Sequence, residues 1–342
     1  MKKNIVCVLV ACVFTASVFG IKFESGDSAF EIKGYLSAEI SYLSQPYASG
    51  MQKFYAGLGY SSLIFDLWQG SKFHMRYSMA VRSQFPNVFG TSNNIWIPGM
   101  EAYGEFIPND FLSIKAGQVL TPIGYLMQIH LMPALYPQVG PSAFFEEEIL
   151  PYNTTIDIKM TFKLPGNATL PVNIFGGKPI ANYGARVAQP AQGEIEINNL
   201  NLFGARVAYE LGEYFKAGMS YVISEDFSVR LQVPYIVFEN DYLLIVAEGC
   251  NKIFVASSGY NQSERSTDVL IGVHLGRFTP YADAEYMEAP LIGKIVRRYS
   301  AGVDFAVYDN LRLKAQFDYR DVNNGSYRAK PLVLRTSAVF NF

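Results

Sequence analysis

The chain has 342 residues, half of them apolar and 15% aromatic, with a formal net charge of −2. That balance excludes a nucleic-acid partner held by a basic surface. Three cysteines are too few for a disulfide framework, and beyond the N-terminus no run of about 18 apolar residues excludes helical membrane spans.

The first stretch, "MKKNIVCVLVACVFTASVFG", has two lysines, an apolar run and Val18 and Gly20 where a signal peptidase wants modest side chains. It reads as a secretory signal peptide, residues 1–20. A membrane anchor is the competing reading, but nothing past Ile21 continues the run. Leu9-Val10-Ala11-Cys12 spells a lipoprotein box, yet apolar sequence runs on beyond it. Cleavage after Gly20 removes Cys7 and Cys12 and leaves Cys250 alone, so residues 21–342 form one exported domain without a disulfide.

From there the pattern is alternation. Phe30, Ile32, Leu36, Ala38, Ile40 and Tyr42 oppose Glu31, Lys33, Ser37, Glu39 and Ser41; Phe73, Met75, Tyr77, Met79 and Val81 oppose Lys72, His74, Arg76, Ser78 and Arg82. Ile156, Ile158, Met160, Phe162 and Leu164 oppose Asp157, Lys159, Thr161 and Lys163. Period two is the signature of a two-faced strand, and it returns over 203–211, 215–224, 269–277, 311–320 and 332–342. Only 228–249 reads poorly, apolar on both faces after Val233, which suggests a stretch buried in a subunit contact.

Short turns fall at 69–71, 108–110, 165–167, 212–213, 239–241, around Phe278 and at 309–310. Longer connections fall near 44–53, 86–94, 121–153, 178–199, 224–228, 250–266, 287–294 and 321–331. Fifteen connections join sixteen strands. Tight turns at one end and long loops at the other are the pattern of a transmembrane antiparallel β-barrel. A barrel of this size is too wide for side chains to fill, so the charged faces line water and the apolar faces meet lipid. Phe30, Tyr42, Tyr319, Phe340 and Phe342 near strand ends suit interfacial girdles.

The final strand "PLVLRTSAVFNF" ends on an aromatic, and with the hairpin "YSAGVDFAVYDNLRLKAQFDYRD" it resembles the C-terminal end of bacterial outer-membrane porins of the general type. "LSIKAGQVLTPIGYL" resembles a "Thr-Pro-x-Gly" passage of the phosphate-selective porin O/P and DcaP-like groups, although no basic ladder accompanies it. The resemblance implies a homotrimer in the outer membrane of a Gram-negative-type envelope, surrounded by lipid. It also implies a third long loop folded into the lumen. That loop would be 121–153, about thirty residues and longer than an ordinary connection.

The loop carries Glu146, Glu147 and Glu148 and no lysine or arginine. Opposite it, lumen parity places Lys72, His74, Arg76, Arg82, Lys115, Lys159, Lys163, Arg206, Arg312 and Lys314. An acidic loop against a basic wall would set a transverse field at the constriction. Across the chain, lumen parity gives fifteen bases, Arg230 among them, against ten acids, an excess that predicts a mild anion preference.

The sequence thus points to passive diffusion of small hydrophilic solutes and ions, without cofactor, metal or catalytic step. His74, His130 and His274 lack metal-ligand spacing. A barrel hydrolase using His130, and a sealed adhesin or receptor displaying 178–199 and 250–266, are the rival readings. Asp283 and Glu285 share a strand face and read as lumen lining rather than an acid/base pair.

Overall fold

The structure, a computed structural model, describes residues 20–45, 53–83, 95–129, 136–139, 152–179, 201–255, 261–290, 293–323 and 328–342. Its strands in chain order are β1 (Ile21–Ser25), β2 (Ser28–Leu43), β3 (Phe54–Leu58), β4 (Ser61–Gln69), β5 (Phe73–Ser83), β6 (Ile95–Asn109) and β7 (Leu112–Leu120). One helical turn, α1 (Leu126–Ile129), precedes β8 (Tyr152–Leu164), β9 (Ala168–Pro179), β10 (Leu202–Leu211), β11 (Phe215–Ser224), β12 (Val229–Glu239) and β13 (Leu243–Val255). The chain closes with β14 (Asn261–Val273), β15 (Phe278–Ala289), β16 (Lys294–Tyr308), β17 (Leu311–Asn323), β18 (Arg328–Ala329) and β19 (Leu332–Asn341).

Neighbours in sequence pair antiparallel throughout, and β19 pairs back onto β2, from Val333 opposite Leu43 to Asn341 opposite Tyr35. The sheet is therefore a closed barrel without edges. β3 and β4 form one stave interrupted at Gly59, β18 extends the stave of β19, and β1 folds back on the start of β2. The staves number sixteen, as the spacing of turns predicts. Gly34 and Phe342 exchange both backbone hydrogen bonds, at 2.8 and 3.0 Å, and complete the seam.

Local chemistry sets the turns. Gly70, Gly166, Asn167, Gly212 and Gly276 hold positive φ at the tight end. Asn109 Oδ1 accepts the amides of Phe111 and Leu112 at 3.0 Å each, and Asn240 Oδ1 those of Tyr242 and Leu243 at 2.9 and 2.8 Å. These side chains replace backbone acceptors at the chain reversal. At the opposite end, 225–228 is as short as these turns, because Asp226 Oδ1 gathers Ser224 Oγ, Ser228 N and Ser228 Oγ within 3.0 Å. The reading of 224–228 as a longer connection is corrected accordingly.

The faces separate cleanly. Met75, Tyr77, Ile174, Met219, Ile236, Ile271 and Phe317 are exposed on the outside, while Asp66, His74, Asn173, Glu248, Asp268, Arg298 and Asp318 are buried on the inside. Water cannot favour an exposed apolar belt of that extent, whereas hydrocarbon can. Aromatic pairs ring the tight-turn end: Phe73–Phe106 at 4.9 Å, Phe111–Phe162 at 5.1 Å and Phe278–Phe305 at 4.3 Å between centroids.

Three positions depart from the sequence reading. Lys72 lies in the turn before β5, exposed, and not on the wall. Arg230 is exposed between inward Val229 and Leu231, because β12 buries its odd positions. The strand read over 269–277 stops at Val273, where Leu275 and Phe278 close a turn.

The two-faced apolarity of 228–249 also has a cause other than a subunit contact. Inward Tyr235, Val237, Leu244, Val246 and Leu270 form one buried cluster with Leu126 and Tyr136 of the β7–β8 connection, and Tyr125 and Ile129 pack on it. One face of β12 and β13 meets the outside; on the other, these residues pack against Leu126 and Tyr136.

Candidate channel lining

Three groups of side chains on the inner wall bear on what could pass through it. The first centres on Asp66 of β4. Its carboxylate accepts from Lys33 Nζ at 2.9 Å, His74 Nε2 at 2.8 Å, Arg76 Nε at 2.8 Å and Arg76 Nη2 at 3.0 Å. The other face of this network is Glu105, which meets His74 Nδ1 at 3.1 Å and accepts from Ser113 Oγ at 2.5 Å. Trp68 stacks on the imidazole at 3.9 Å. Register brings these together: Asp66 is opposite Arg76, His74 opposite Glu105, and Glu105 opposite Lys115.

The second group holds the start of the β7–β8 connection. Glu248 Oε2 accepts the amides of Tyr125 at 2.6 Å and Leu126 at 2.8 Å, and Ser220 Oγ accepts that of Gly124 at 2.9 Å. Gly124 has φ +59, and a Cβ there would stand 2.4 Å from Glu248 Oε1 and 2.9 Å from Val233. Both the backbone angle and the space demand glycine. Burial pushes the Tyr125 phenol up to about 12, with the charges of Glu239 and Glu248 adding to it.

The third group holds residues 136–139. Lys314 Nζ donates to the carbonyls of Tyr136 and Gln138, the latter at 3.3 Å, and the amide of Val139 donates to Gln316 Oε1 at 2.8 Å. Tyr281 Oη donates to the same Gln316 oxygen at 2.9 Å, and Gln316 Nε2 donates to Asp318 at 2.6 Å. Beyond it, Arg320 and Arg335 approach Asp318 at 3.2 and 3.6 Å. Nearby, Arg312 grips Asp304 at 2.8 Å.

Of the residues expected from the sequence, His74 and Arg76 sit together in the first group, and Arg312 and Lys314 in the third. Arg206 lies on the inner wall of β10 and donates to Tyr235 Oη at 2.6 and 3.1 Å. Lys115 stands 5.0 Å over the ring of Tyr103, Lys159 is exposed on the same face as Asp157, and Lys163 reaches the turn residue Asp110 at 3.0 Å near the rim. Arg82 belongs to β5 past a bulge at Ala80, and its side chain lies outside the described residues, as do Glu146, Glu147, Glu148 and His130.

Asp66, Glu248, Glu264, Asp268 and Lys252 also face inward and were missed. Together with the loss of Lys72 and Arg230 from the wall, they cancel the apparent excess of bases. A signal was present for Glu248: it is the lone charge in "YLLIVAEGC", and a charge in such a run must find partners.

Among solved structures, an anion-selective porin from Comamonas acidovorans superposes with a TM-score of 0.64 at 10% identity, over 92% of this chain and all of that one. OmpF of Salmonella typhi gives 0.65 at 10% identity over 94% of this chain and all of its own. OmpT, from the outer membrane of Vibrio cholerae, gives 0.61 at 12% identity over 94% and all of its own. No family model matches the sequence, and no curated protein does. The likeness lies in the fold: the chain is a closed sixteen-stranded antiparallel barrel of the same architecture as these three structures.

Proposed function

We propose that this protein is an outer-membrane channel for passive diffusion of small hydrophilic solutes and ions. One observation carries the reading: a closed barrel whose outside is an exposed apolar belt and whose inside is lined by charges of both signs. Such a lumen is solvated, and lipid is the natural surrounding of the outer face. The bonds that hold Gly124–Leu126 and Tyr136–Val139 to the wall support a connection that runs inside the barrel and narrows it. Residues 1–20 would direct export and be removed, with β1 starting at Ile21.

A mild anion preference fits the wall in one respect. Among the described wall residues Lys159 and Lys163 are exposed while Asp66, Asp268, Asp283, Asp304 and Asp318 are buried, although Arg298, Lys314, Arg320 and Arg335 are buried as well. A homotrimer is the expected assembly; one structure of the OmpT neighbour is of a trimer form. Liposome swelling with sugars of increasing size tests the channel. Uptake that falls with solute size supports it, and impermeant liposomes carrying folded protein would favour the sealed receptor.

A further inference from the structure

Four bases stand together on the outer face of β14–β18, at the end of the barrel opposite the tight turns. Arg297 of β16 lies between inward Val296 and Arg298, and Arg265 of β14 is exposed beside inward Ser266. Arg328 and Lys330 are exposed on either side of buried Ala329. Register makes them one patch: Arg265 is opposite Glu288 of β15, Arg297 is opposite both Tyr286 of β15 and Asp321 of β17, and Arg328 is opposite Asn323. Arg328 grips Asp321 through Nε and Nη2 at 2.9 and 2.7 Å, and the Arg297 guanidinium lies 5.7 Å from the centre of the Tyr286 ring. Four bases against Glu288 and Asp321 leave two positive charges in excess.

Moving from this patch towards the middle of the barrel, the outer face changes in a fixed order. Two residues along β16 and β17 comes the pair Tyr299–Tyr319, its ring centroids 6.5 Å apart, and two residues further the pair Ala301–Phe317. Leu332 and Leu334 of β19 stand beside Tyr319 and Phe317 and are 40% and 50% exposed. Each step of two residues is about 7 Å of strand. The wall therefore passes from guanidinium through phenol to apolar side chains, the order of a bilayer from headgroup to acyl chain. A base on a lipid-facing wall is costly at the midplane and tolerated near the interface. At that depth the groups that neutralise it are anionic headgroups.

We infer that Arg265, Arg297, Arg328 and Lys330 form a docking surface for a lipid with an anionic phosphate headgroup, its acyl chains lying over Tyr319, Phe317, Leu332 and Leu334. Charge complementarity selects the headgroup, and the apolar strip directly beneath selects an amphiphile over a free anion. The inference rests on the membrane reading of the outer face and not on an open lumen.

The test is native mass spectrometry of the full chain refolded in micelles of a non-ionic detergent. Phosphatidic acid or phosphatidylcholine with identical acyl chains is added at equal concentration. Wild type should retain phosphatidic acid in preference to phosphatidylcholine. Removing one charge, in Arg297→Gln or in Lys330→Gln, should weaken that retention about fivefold. Arg277→Gln, at the tight-turn rim, should leave it unchanged, and Asp321→Asn, which removes a competing acid, should tighten it. Equal retention of the two lipids overturns the site, and so does undiminished retention by both the Arg297 and the Lys330 variants. Displacement of the lipid by an equal concentration of glycerol 3-phosphate also overturns it, since the bases would then hold any phosphate. A sealed barrel would pass this test and fail liposome swelling, whereas a channel without the site would do the reverse.

Discussion

Gly124 and Glu248, with Ser220, hold the start of the β7–β8 connection to the wall. Replacing Gly124 by Ala puts a methyl group against Glu248 Oε1 and asks a side chain to adopt φ +59. The expected cost is about 1–2 kcal/mol from the backbone alone, with the clash in addition. Glu248→Gln keeps the shape but weakens the bonds from Tyr125 and Leu126, each of which contributes about 1 kcal/mol. Both variants should fold as barrels, with 121–139 cut faster in limited proteolysis of the micellar protein. Cleavage at the wild-type rate would show that these contacts do not hold the connection.

At the scale of the element, a stave has one face for hydrocarbon and one for water, and substitutions on the two should differ in sign of tolerance. Met219→Arg, on the outer face of β11, should lower stability in lipid by about 2–4 kcal/mol if it sits near the midplane. Lys159→Ala on the inner face of β8 should change it by less than about 0.5 kcal/mol. Equal effects in urea unfolding from vesicles would contradict the assignment of faces.

The 225–228 turn gives a pH dependence. Partial burial raises the Asp226 carboxyl, but hydrogen bonds from Ser224 and Ser228 outweigh it and hold it below the ordinary range. A depressed value means the turn is stabilised above the ordinary carboxylate range and loses that support as pH falls through the depressed value. Amide exchange at Ser228, corrected for its intrinsic rate, should therefore quicken on acidification below about pH 4 in wild type. In Asp226→Asn it should not change with pH.

Strand existence and the sixteen-stave count were legible because alternation and turn residues such as Asn109, Gly166 and Asn240 act locally. Two things were not. Parity in β12 is set by what covers the inside, since Tyr235 and Val237 face Leu126 and Tyr136, with Tyr125 and Ile129 beside them, and Val233 lies against Gly124. Partnerships such as Asp66 with His74 and Arg76, or Glu248 with the amides of Tyr125 and Leu126, depend on register and on a contact about 120 residues away along the chain. Spacing within one strand carries no trace of either.

Across the whole molecule, the proposed function makes the charged interior a water-filled path through a bilayer. Its walls pair most charges in place, as Arg76 with Asp66 and Arg312 with Asp304, so the lumen should discriminate weakly between ions. Single-channel conductance of the purified protein in a planar bilayer under a salt gradient tests this most directly. Open steps should scale with bulk salt conductivity, with a reversal potential slightly to the anion side. Homotrimers would add steps in groups of three. Protein shown to be folded and inserted, yet electrically silent across the voltage range, would contradict it.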